Sequence, residues 1–241
     1  MRRSLSAAIL LASFLLSGCA TLNADALGDL LGQAPLDEAT VAAGLKQALS
    51  IGSGRAVDTV SVVDGFLADE LLRIAIPQQL SGVTSTLRDL GLNAPVDDLE
   101  IGMNRAASLA AGEARTVLTT AVSQLTIADA FAILNGGDTA ATDLFRARTG
   151  DELRTRFRPL VNDAMAQVGV ARIYNTMVDA YDALPLTKKP EMVDLEDYVV
   201  EGTVNGVFTE LGREEALIRH DPVARTTDLL KRVFGRDDAA N

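Results

Sequence analysis

The sequence predicts an all-α protein, a single bundle of about nine or ten helices. Apolar residues recur at steps of three and four along most of the 241 residues, which is the period of an amphipathic helix. The period-two alternation of a half-buried strand is not sustained, and the run RIAIP at 73–77 is the one short extended candidate. Polar residues that accept hydrogen bonds from free backbone N–H groups precede several helical runs and mark their starts.

Helix starts and stops then divide the chain into elements. The predicted N-terminal caps are Thr126 with Asp129, Asp138, Thr149 with Glu152, Asp194 with Asp197, and Asp221 before Pro222. The glycines predicted to end helices are Gly91, Gly136, Gly137, Gly169 and Gly235. The predicted helices cover about 38–50, 54–66, 79–90, 96–124, 127–135, 139–148, 151–168, 170–183, 195–219 and 222–234.

The run 96–124 is predicted to be a central helix. Pro95 precedes it, at a position where the missing N–H costs nothing. One face carries the apolar stripe, and the opposite face carries Ile101, Leu109 and small residues, so we expect neighbours on both faces.

Arg105 lies between Ile101 and Leu109 on the second face of that helix. A buried arginine without a carboxylate or several carbonyls costs several kcal/mol. We therefore expect Arg105 to reach Asp138, Asp143 or Asp228 inside the fold.

The N-terminus resembles a bacterial lipoprotein signal. Residues 1–18 carry two arginines and then an apolar core of about ten residues, too short to span a membrane. Residues 16–19 read LSGC, which predicts cleavage before Cys19 and lipidation of its sulfur. The alternative is an ordinary secretory signal with an incidental cysteine.

Lipidation of Cys19 leads to a domain layout and a location. Acyl chains such as palmitate on Cys19 would anchor the protein stably, at about 0.8 kcal/mol per buried CH₂. Alanine rather than aspartate follows Cys19, which favours the outer membrane, with the protein facing the periplasm. We expect a tether at 19–35, an all-helical domain at 36–236 and an acidic tail at 237–241.

Composition excludes several classes of function. The chain has 33 acidic and 22 basic residues and a net charge of −11, so it is not expected to bind nucleic acid. Cys19 is the one cysteine, so thiol chemistry, disulfides and cysteine-ligated metals are excluded once it is lipidated. His220 is the one histidine. Because metal, phosphate-loop and nucleophile motifs are also absent, we predict no catalytic residue, metal or cofactor.

The stretch ILNGGDTAATDLFR, 133–146, raises the one local question. It is either a capped turn between two helices or a polar site for a ligand. Asp138 is predicted to cap the following helix, and Asp143 to pair with Arg146 three residues later. The full candidate polar network or ligand site is Asn104, Arg105, Asn135, Gly136, Gly137, Asp138, Thr139, Thr142, Asp143, Arg146, Arg225, Thr226, Thr227 and Asp228.

Five arginines follow within 146–158, in an otherwise acidic chain: Arg146, Arg148, Arg154, Arg156 and Arg158. Three interpretations remain open for this cluster. It is a solvated surface, a set of salt bridges that joins helices, or an anion site.

Several segments together resemble the domain-of-unknown-function family 4197. They include GLKQAL, DDLEIGMNRAA, TIADAFAILNGGDTAATDLFR, DLEDYV and IRHDPVARTTDLLKRVFG. The resemblance runs from about 40 to 236, and its most specific parts are ILNGGDTAATD and DPVARTTDLLKRVFG. It implies an exported protein of a Gram-negative bacterium and carries no activity and no catalytic residue.

We therefore expect a non-enzymatic binding or interaction module, held to the membrane by its N-terminal lipid. Its partner would be an envelope protein, another envelope component or a small molecule of unknown class. One alternative is an envelope hydrolase built on Asp138, Asp143 and nearby arginines. A second is a carrier of a lipid or a small hydrophobic ligand, which requires an internal cavity of several hundred Å³.

Overall fold

The computed structural model of the protein describes residues 37–185 and 193–234. In these ranges the chain forms nine α-helices and two 3-10 helices, and no strand, so the all-α prediction is confirmed. The α-helices are α1 (Glu38–Ser61), α2 (Ser81–Asp89), α3 (Ala94–Ala111), α4 (Ala114–Ser123), α5 (Ile127–Leu134), α6 (Ala140–Val168), α7 (Val170–Asp182), α8 (Leu195–His220) and α9 (Asp228–Phe234). The 3-10 helices are Gln78–Leu80 and Pro222–Ala224. Predictions for 1–18, Cys19, 19–35, Gly235 and 237–241 fall outside the described residues.

Helices α6 and α8 pack along each other at the centre; α1 packs against α8, and α3 packs against both α6 and α8. Valine and phenylalanine side chains of α8, including Val204, Val207 and Phe208, are almost completely buried there. Each such side chain contributes about 1.5–3 kcal/mol by leaving water. The core of the bundle is therefore built around α8.

Two predicted helix breaks are wrong. The segment 50–54 lies inside the continuous helix α1, since its small residues let α1 approach α8: a Cβ on Gly52 would lie 3.3 Å from Ile218 Cδ1. The predicted cap at Thr149 and Glu152 lies inside α6, where Thr149 Oγ1 donates to the carbonyl of Phe145 at 2.7 Å. These polar and small residues serve packing and do not end a helix.

The predicted central helix 96–124 is two helices, α3 and α4. The chain turns at Gly112 and Glu113, where glycine favours a break and Glu113 accepts a hydrogen bond from Arg156 of α6 at 3.1 Å. Leu109 is 58% exposed, so the prediction that both faces are covered fails at this end of α3.

Four other signals mark helix boundaries as predicted. Thr126 and Asp129 form a reciprocal capping box at α5, and the Asp194 carboxylate accepts from the backbone N–H of Asp197 at α8. Gly91 and Gly169 adopt positive φ, as predicted for glycines that end helices. The run 73–77 has no regular secondary structure.

Among the described helices, none is individually long and apolar enough to cross a membrane. The bent pair Ala114–Ser123 and Ile127–Leu134, which meet at 106°, passes that test jointly on length and composition.

Candidate functional site

The Gly136–Asp143 turn is held by a carboxylate from another helix. Glu215 of α8 accepts hydrogen bonds from the backbone N–H groups of Ala141 and Thr142, at 2.9 and 2.8 Å, and from the Thr142 hydroxyl. Arg219 neutralises the same carboxylate at 2.8 Å, and Glu215 is only 5% exposed. Glu215 therefore caps α6 from a distance of more than seventy residues in sequence.

Asp138 is not the cap of α6, contrary to prediction. Thr139 occupies the cap position without a side-chain hydrogen bond to the backbone. The Asp138 carboxylate lies 2.7 Å from His220 Nε2, and both side chains are about two-thirds exposed. Because Glu215 already supplies the acceptors at the start of α6, Asp138 is left to form a surface pair.

The predicted pair of Asp143 and Arg146 is also absent. Asp143 accepts from the Thr139 hydroxyl at 3.1 Å. Arg146 donates to Asn205 Oδ1 of α8 at 2.9 Å, and its guanidinium lies 4.7 Å from the centre of the Phe208 ring. The aromatic face and the amide on α8 therefore replace the carboxylate on α6 as its partners.

Of the two glycines of this turn, only Gly136 is required by close packing. Neither Gly136 nor Gly137 adopts positive φ. A Cβ on Gly136 would lie 2.5 Å from the Ala140 Cβ, whereas one on Gly137 would meet no atom within 4 Å. Asn135 ends α5 by donating from its side chain to the carbonyl of Phe131.

The C-terminal part of the predicted network closes the end of α8. Arg225 is 2% exposed and donates to the backbone carbonyls of Ile218 and Arg219, at 3.1 and 2.7 Å. Thr227 caps α9 by accepting from the N–H of Leu230, and Thr226 is exposed to solvent. Asp228 lies 3.7 Å from Lys231.

Arg105 does not reach Asp138, Asp143 or Asp228. Its guanidinium binds the Asp64 carboxylate at 2.9 Å, with half of the side chain exposed, and this guanidinium holds the pKa of Asp64 below its usual value. The expectation was wrong because the face of α3 that carries Arg105 is covered by an irregular segment and not by a helix.

That segment, residues 62–77, crosses α3 and α8, and we call it the strap. Asn104 of α3 is fully buried and clamps its backbone: the amide oxygen accepts from the N–H of Ile74, and the amide nitrogen donates to the carbonyl of Ile74, both at 2.9 Å. Phe66 lies against Gly206 of α8, where a Cβ would approach its ring to 2.2 Å.

Two further contacts fix the strap on α8. Arg213 binds Asp69 through both terminal nitrogens, at 2.5 and 3.0 Å, and thereby lowers the pKa of Asp69 to about 2. The Tyr198 hydroxyl donates to the carbonyl of Ala75 at 3.0 Å, and partial burial raises the pKa of this phenol.

A cleft of about 320 Å³ opens between the strap and the N-terminal half of α8, and we call it the strap cleft. Its apolar wall includes Leu71 and Leu72, and its polar wall includes Tyr198, Glu201 and Asn205. The Glu201 carboxylate is already bound by Arg154 at 2.5 Å. The cleft therefore combines an exposed leucine, several hydrogen-bonding groups and one neutralised carboxylate.

The arginine cluster follows the second of its three interpretations, salt bridges that join helices. Arg148 binds Asp129 of α5, Arg154 binds Glu201 of α8, and Arg158 binds Asp197 of α8. These pairs are partly exposed, so solvent screens them and each contributes little to stability. Arg146 is the member of the cluster whose described contacts include no carboxylate.

Within the described residues, no group of three or more histidine, cysteine, aspartate or glutamate side chains could hold a metal ion. Glu214 of α8 is buried beside Arg55, with 3.7 Å between the guanidinium and the carboxylate, and its burial raises its pKa. Its Oε2 lacks a hydrogen-bond donor in the described structure. This carboxylate lies in a helix interface and does not line the strap cleft.

Sequence reasoning missed the strap and its cleft. The available signal was Gly202 and Gly206, four residues apart on one face of α8, where Ile74 and Phe66 press against the helix. Arg73, Tyr198 and Asn205 belong to no recognisable motif, because irregular backbone brings them together.

A family model described as Protein of unknown function (DUF4197) matches residues 35–235. The chain belongs to this family. The match confirms the resemblance indicated by the motifs, and it includes the strap, the cleft and all nine helices. No curated protein and no solved structure matches the chain.

Proposed function

We propose that the protein is an outer-membrane lipoprotein that faces the periplasm and acts as a non-enzymatic binding module. The basic start of the chain, its short apolar core and the LSGC sequence that ends at Cys19 support export and lipidation. The acidic composition supports a surface that avoids nucleic acid.

The observation that carries a binding role is the strap cleft. It opens on one side to solvent, its floor is the rigid helix α8, and its wall is anchored by Asn104 and Arg213. Such a preorganised concave surface loses little entropy when it binds a ligand. Its volume of about 320 Å³ lies at the lower end of the range for small-molecule sites.

The two alternative functions have less support. Asp138 and Asp143 do not line the strap cleft, a second cleft beside Pro95 and Arg172, or an apolar pocket beside Leu45 and Phe234, so the hydrolase hypothesis has no described cleft at its carboxylates. The apolar pocket beside Leu45 and Phe234 holds about 10 Å³, far less than a lipid chain requires.

The binding role can be tested by photo-crosslinking in intact cells. A benzoylphenylalanine in place of Leu71, which is 73% exposed at the cleft, should give one recurring adduct by mass spectrometry. The same residue in place of Val223, which is 85% exposed and follows the far end of α8, is the matched control. Thr209→Trp, which fills the cleft, should abolish the adduct at 71.

Identical adducts at positions 71 and 223, or an adduct at 71 that persists in Thr209→Trp, would contradict a binding role for the cleft. Anchoring has a separate test. Cys19→Ser should move the protein from the membrane fraction to the soluble periplasmic fraction, and unchanged sedimentation would contradict lipidation.

A further inference from the structure

We infer that the strap cleft binds an organic anion, whose carboxylate is bound by Arg73 and Arg146 and whose apolar part lies against Leu71. This inference rests on the proposed binding function and assigns the ligand class.

The described arginines differ in whether they have a carboxylate partner. In a chain with 33 acidic residues, most described arginines have a carboxylate partner. Those that do are Arg55, Arg88, Arg105, Arg115, Arg148, Arg154, Arg156, Arg158, Arg213 and Arg219. The buried Arg225 is left aside, since it closes the end of α8. Among the other described arginine side chains, Arg73, Arg146 and Arg172 form no ion pair with a described carboxylate.

The arginines without a carboxylate partner lie in different parts of the structure. Arg73 lines the strap cleft directly, and Arg146 is bound to Asn205, which also lines it. One of the three arginines without a carboxylate partner therefore lines the cleft, and a second adjoins it through Asn205. Arg172 lies at a different cleft, beside Pro95, where Asp98 is also in the lining and offsets its charge.

The contacts of the Arg73 and Arg146 guanidinium groups decide which of their N–H donors can reach a ligand. Arg73 donates through Nε to the carbonyl of Leu67 at 2.9 Å, which leaves both terminal nitrogens for another acceptor. Arg146 donates from Nη1 to Asn205 at 2.9 Å and is supported by the ring of Phe208. A guanidinium has five N–H donors, and a pair of them matches the two oxygens of a carboxylate.

The lining of the cleft also contains a carboxylate and an exposed apolar side chain. Glu201 is the carboxylate of its lining, and Arg154 neutralises it. Arg154 is shared with Asp151, so the cationic donors of this region that are not bound to a carboxylate are those of Arg73 and Arg146, in a protein that is strongly negative as a whole. Leu71, 73% exposed, supplies a surface for an apolar group next to the carboxylate.

A carboxylate with an adjacent apolar group occurs in free organic acids and at the C-terminus of a peptide. Two pairs of probes separate these sources. The first pair is 4-phenylbutyrate and the uncharged 4-phenylbutanol, and the second is the peptide Ala-Ala-Phe with a free or an amidated C-terminus. Binding to the full mature protein is measured by calorimetry or by NMR shifts of the arginine side-chain N–H groups.

We expect 4-phenylbutyrate, the free-acid peptide or both to bind at least tenfold more tightly than the uncharged counterpart. Arg73→Gln and Arg146→Gln should each weaken that binding about tenfold, since each removes a charge-assisted hydrogen bond. Arg73→Lys should retain part of it. Arg172→Gln, which removes an arginine that also lacks a carboxylate partner, is the matched control and should leave it unchanged.

Equal binding of charged and uncharged probes, an equal loss in Arg172→Gln, or no binding of either acid would overturn the inference. Unchanged circular dichroism and unfolding midpoints identify variants that fold normally. If the photo-crosslink at position 71 succeeds while both acids fail, the ligand class is wrong and the binding function stands. If both fail, the binding function is wrong as well.

Discussion

The two halves of α8 carry similar residues in different situations. In the C-terminal half, Glu215 is buried and the Arg219 side chain is only 11% exposed, and their hydrogen bonds go to α5 and to the start of α6. In the N-terminal half, Glu201 and Asn205 lie at an open cleft beside arginines of the strap and α6. Polar groups of the C-terminal half complete the fold, whereas those of the N-terminal half line an open cleft.

The comparison explains why a conspicuous sequence motif is a poor guide to the site in this protein. The Gly-Gly-Asp-Thr turn attracts attention because it contains several polar residues, yet the backbone N–H groups that follow it are satisfied internally by Glu215. A ligand must compete with those existing bonds, and an internal carboxylate at 2.8 Å leaves no room for one. Donors with free capacity are the better indicator of a site.

The largest expected effect comes from breaking the C-terminal half. Glu215→Ala leaves two backbone N–H groups and Arg219 without their buried acceptor. The free energy of unfolding, measured by urea titration, should therefore fall by about 3–5 kcal/mol. The matched control is Glu152→Ala, which also removes a glutamate paired with an arginine four residues later, but on an exposed surface. It should change stability by less than about 0.5 kcal/mol.

A loss in Glu215→Ala no larger than that in Glu152→Ala would show that the buried carboxylate does not cap α6. The distinction between the two halves of α8 would then lose its basis.

A smaller effect is expected where the strap meets the N-terminal half. Gly206→Ala places a Cβ at 2.2 Å from the buried ring of Phe66, so stability should fall by about 1–3 kcal/mol. Backbone amides of the strap should also exchange faster with deuterium, because the ring must move. Gly82→Ala, where the added Cβ meets nothing within 4 Å, should be neutral or slightly stabilising.

If Gly206→Ala and Gly82→Ala behave alike, close packing does not hold the strap on α8. The cleft would then lack the rigid wall on which its proposed function depends.

The smallest effect is a change in acid stability. Arg213 keeps the pKa of Asp69 at about 2 in the folded protein, below the usual value of about 3.9 in an unfolded chain. The pair therefore stabilises the fold above about pH 4, and this stabilisation is lost as the pH falls from about 4 through 2. Asp69→Asn should lower stability at neutral pH and flatten the decline between pH 4 and 2, measured by urea midpoints.

The exposed Asp163→Asn is the control for that experiment and should keep the wild-type decline. A slope that is equally steep in Asp69→Asn would mean that the strap gains no stability from Arg213.

The sequence was sufficient for the all-α class and the family because helical periodicity and capping residues are local signals. Thr126 with Asp129 and Gly169 located boundaries correctly, since each acts within a few residues of itself. Gly52 and Thr149 misled because α8 fills the space beside the first and the Phe145 carbonyl binds the second. Local propensity cannot include a neighbour that is distant in the chain.

The candidate site was only partly accessible to sequence reasoning for the same reason. Arg146 belongs to the predicted network and adjoins the strap cleft through Asn205, but its partners Asn205 and Phe208 are about sixty residues away. Arg73 lies in a segment without periodicity, so no pattern could connect it with α8. Asn104 was predicted to belong to the polar network or ligand site, whereas in the structure its side-chain amide clamps the backbone of the strap.

The long-range cap at Glu215 also sets an order of assembly. Helix α6 has 29 residues, but its own cap residue, Thr139, makes no side-chain bond to its backbone. Until α8 has docked, the first turn of α6 lacks these acceptors and frays. That turn becomes secure only when α8 is in place, so in pulse-labelling during refolding the amides of Ala141 and Thr142 should be protected late, together with those of α8.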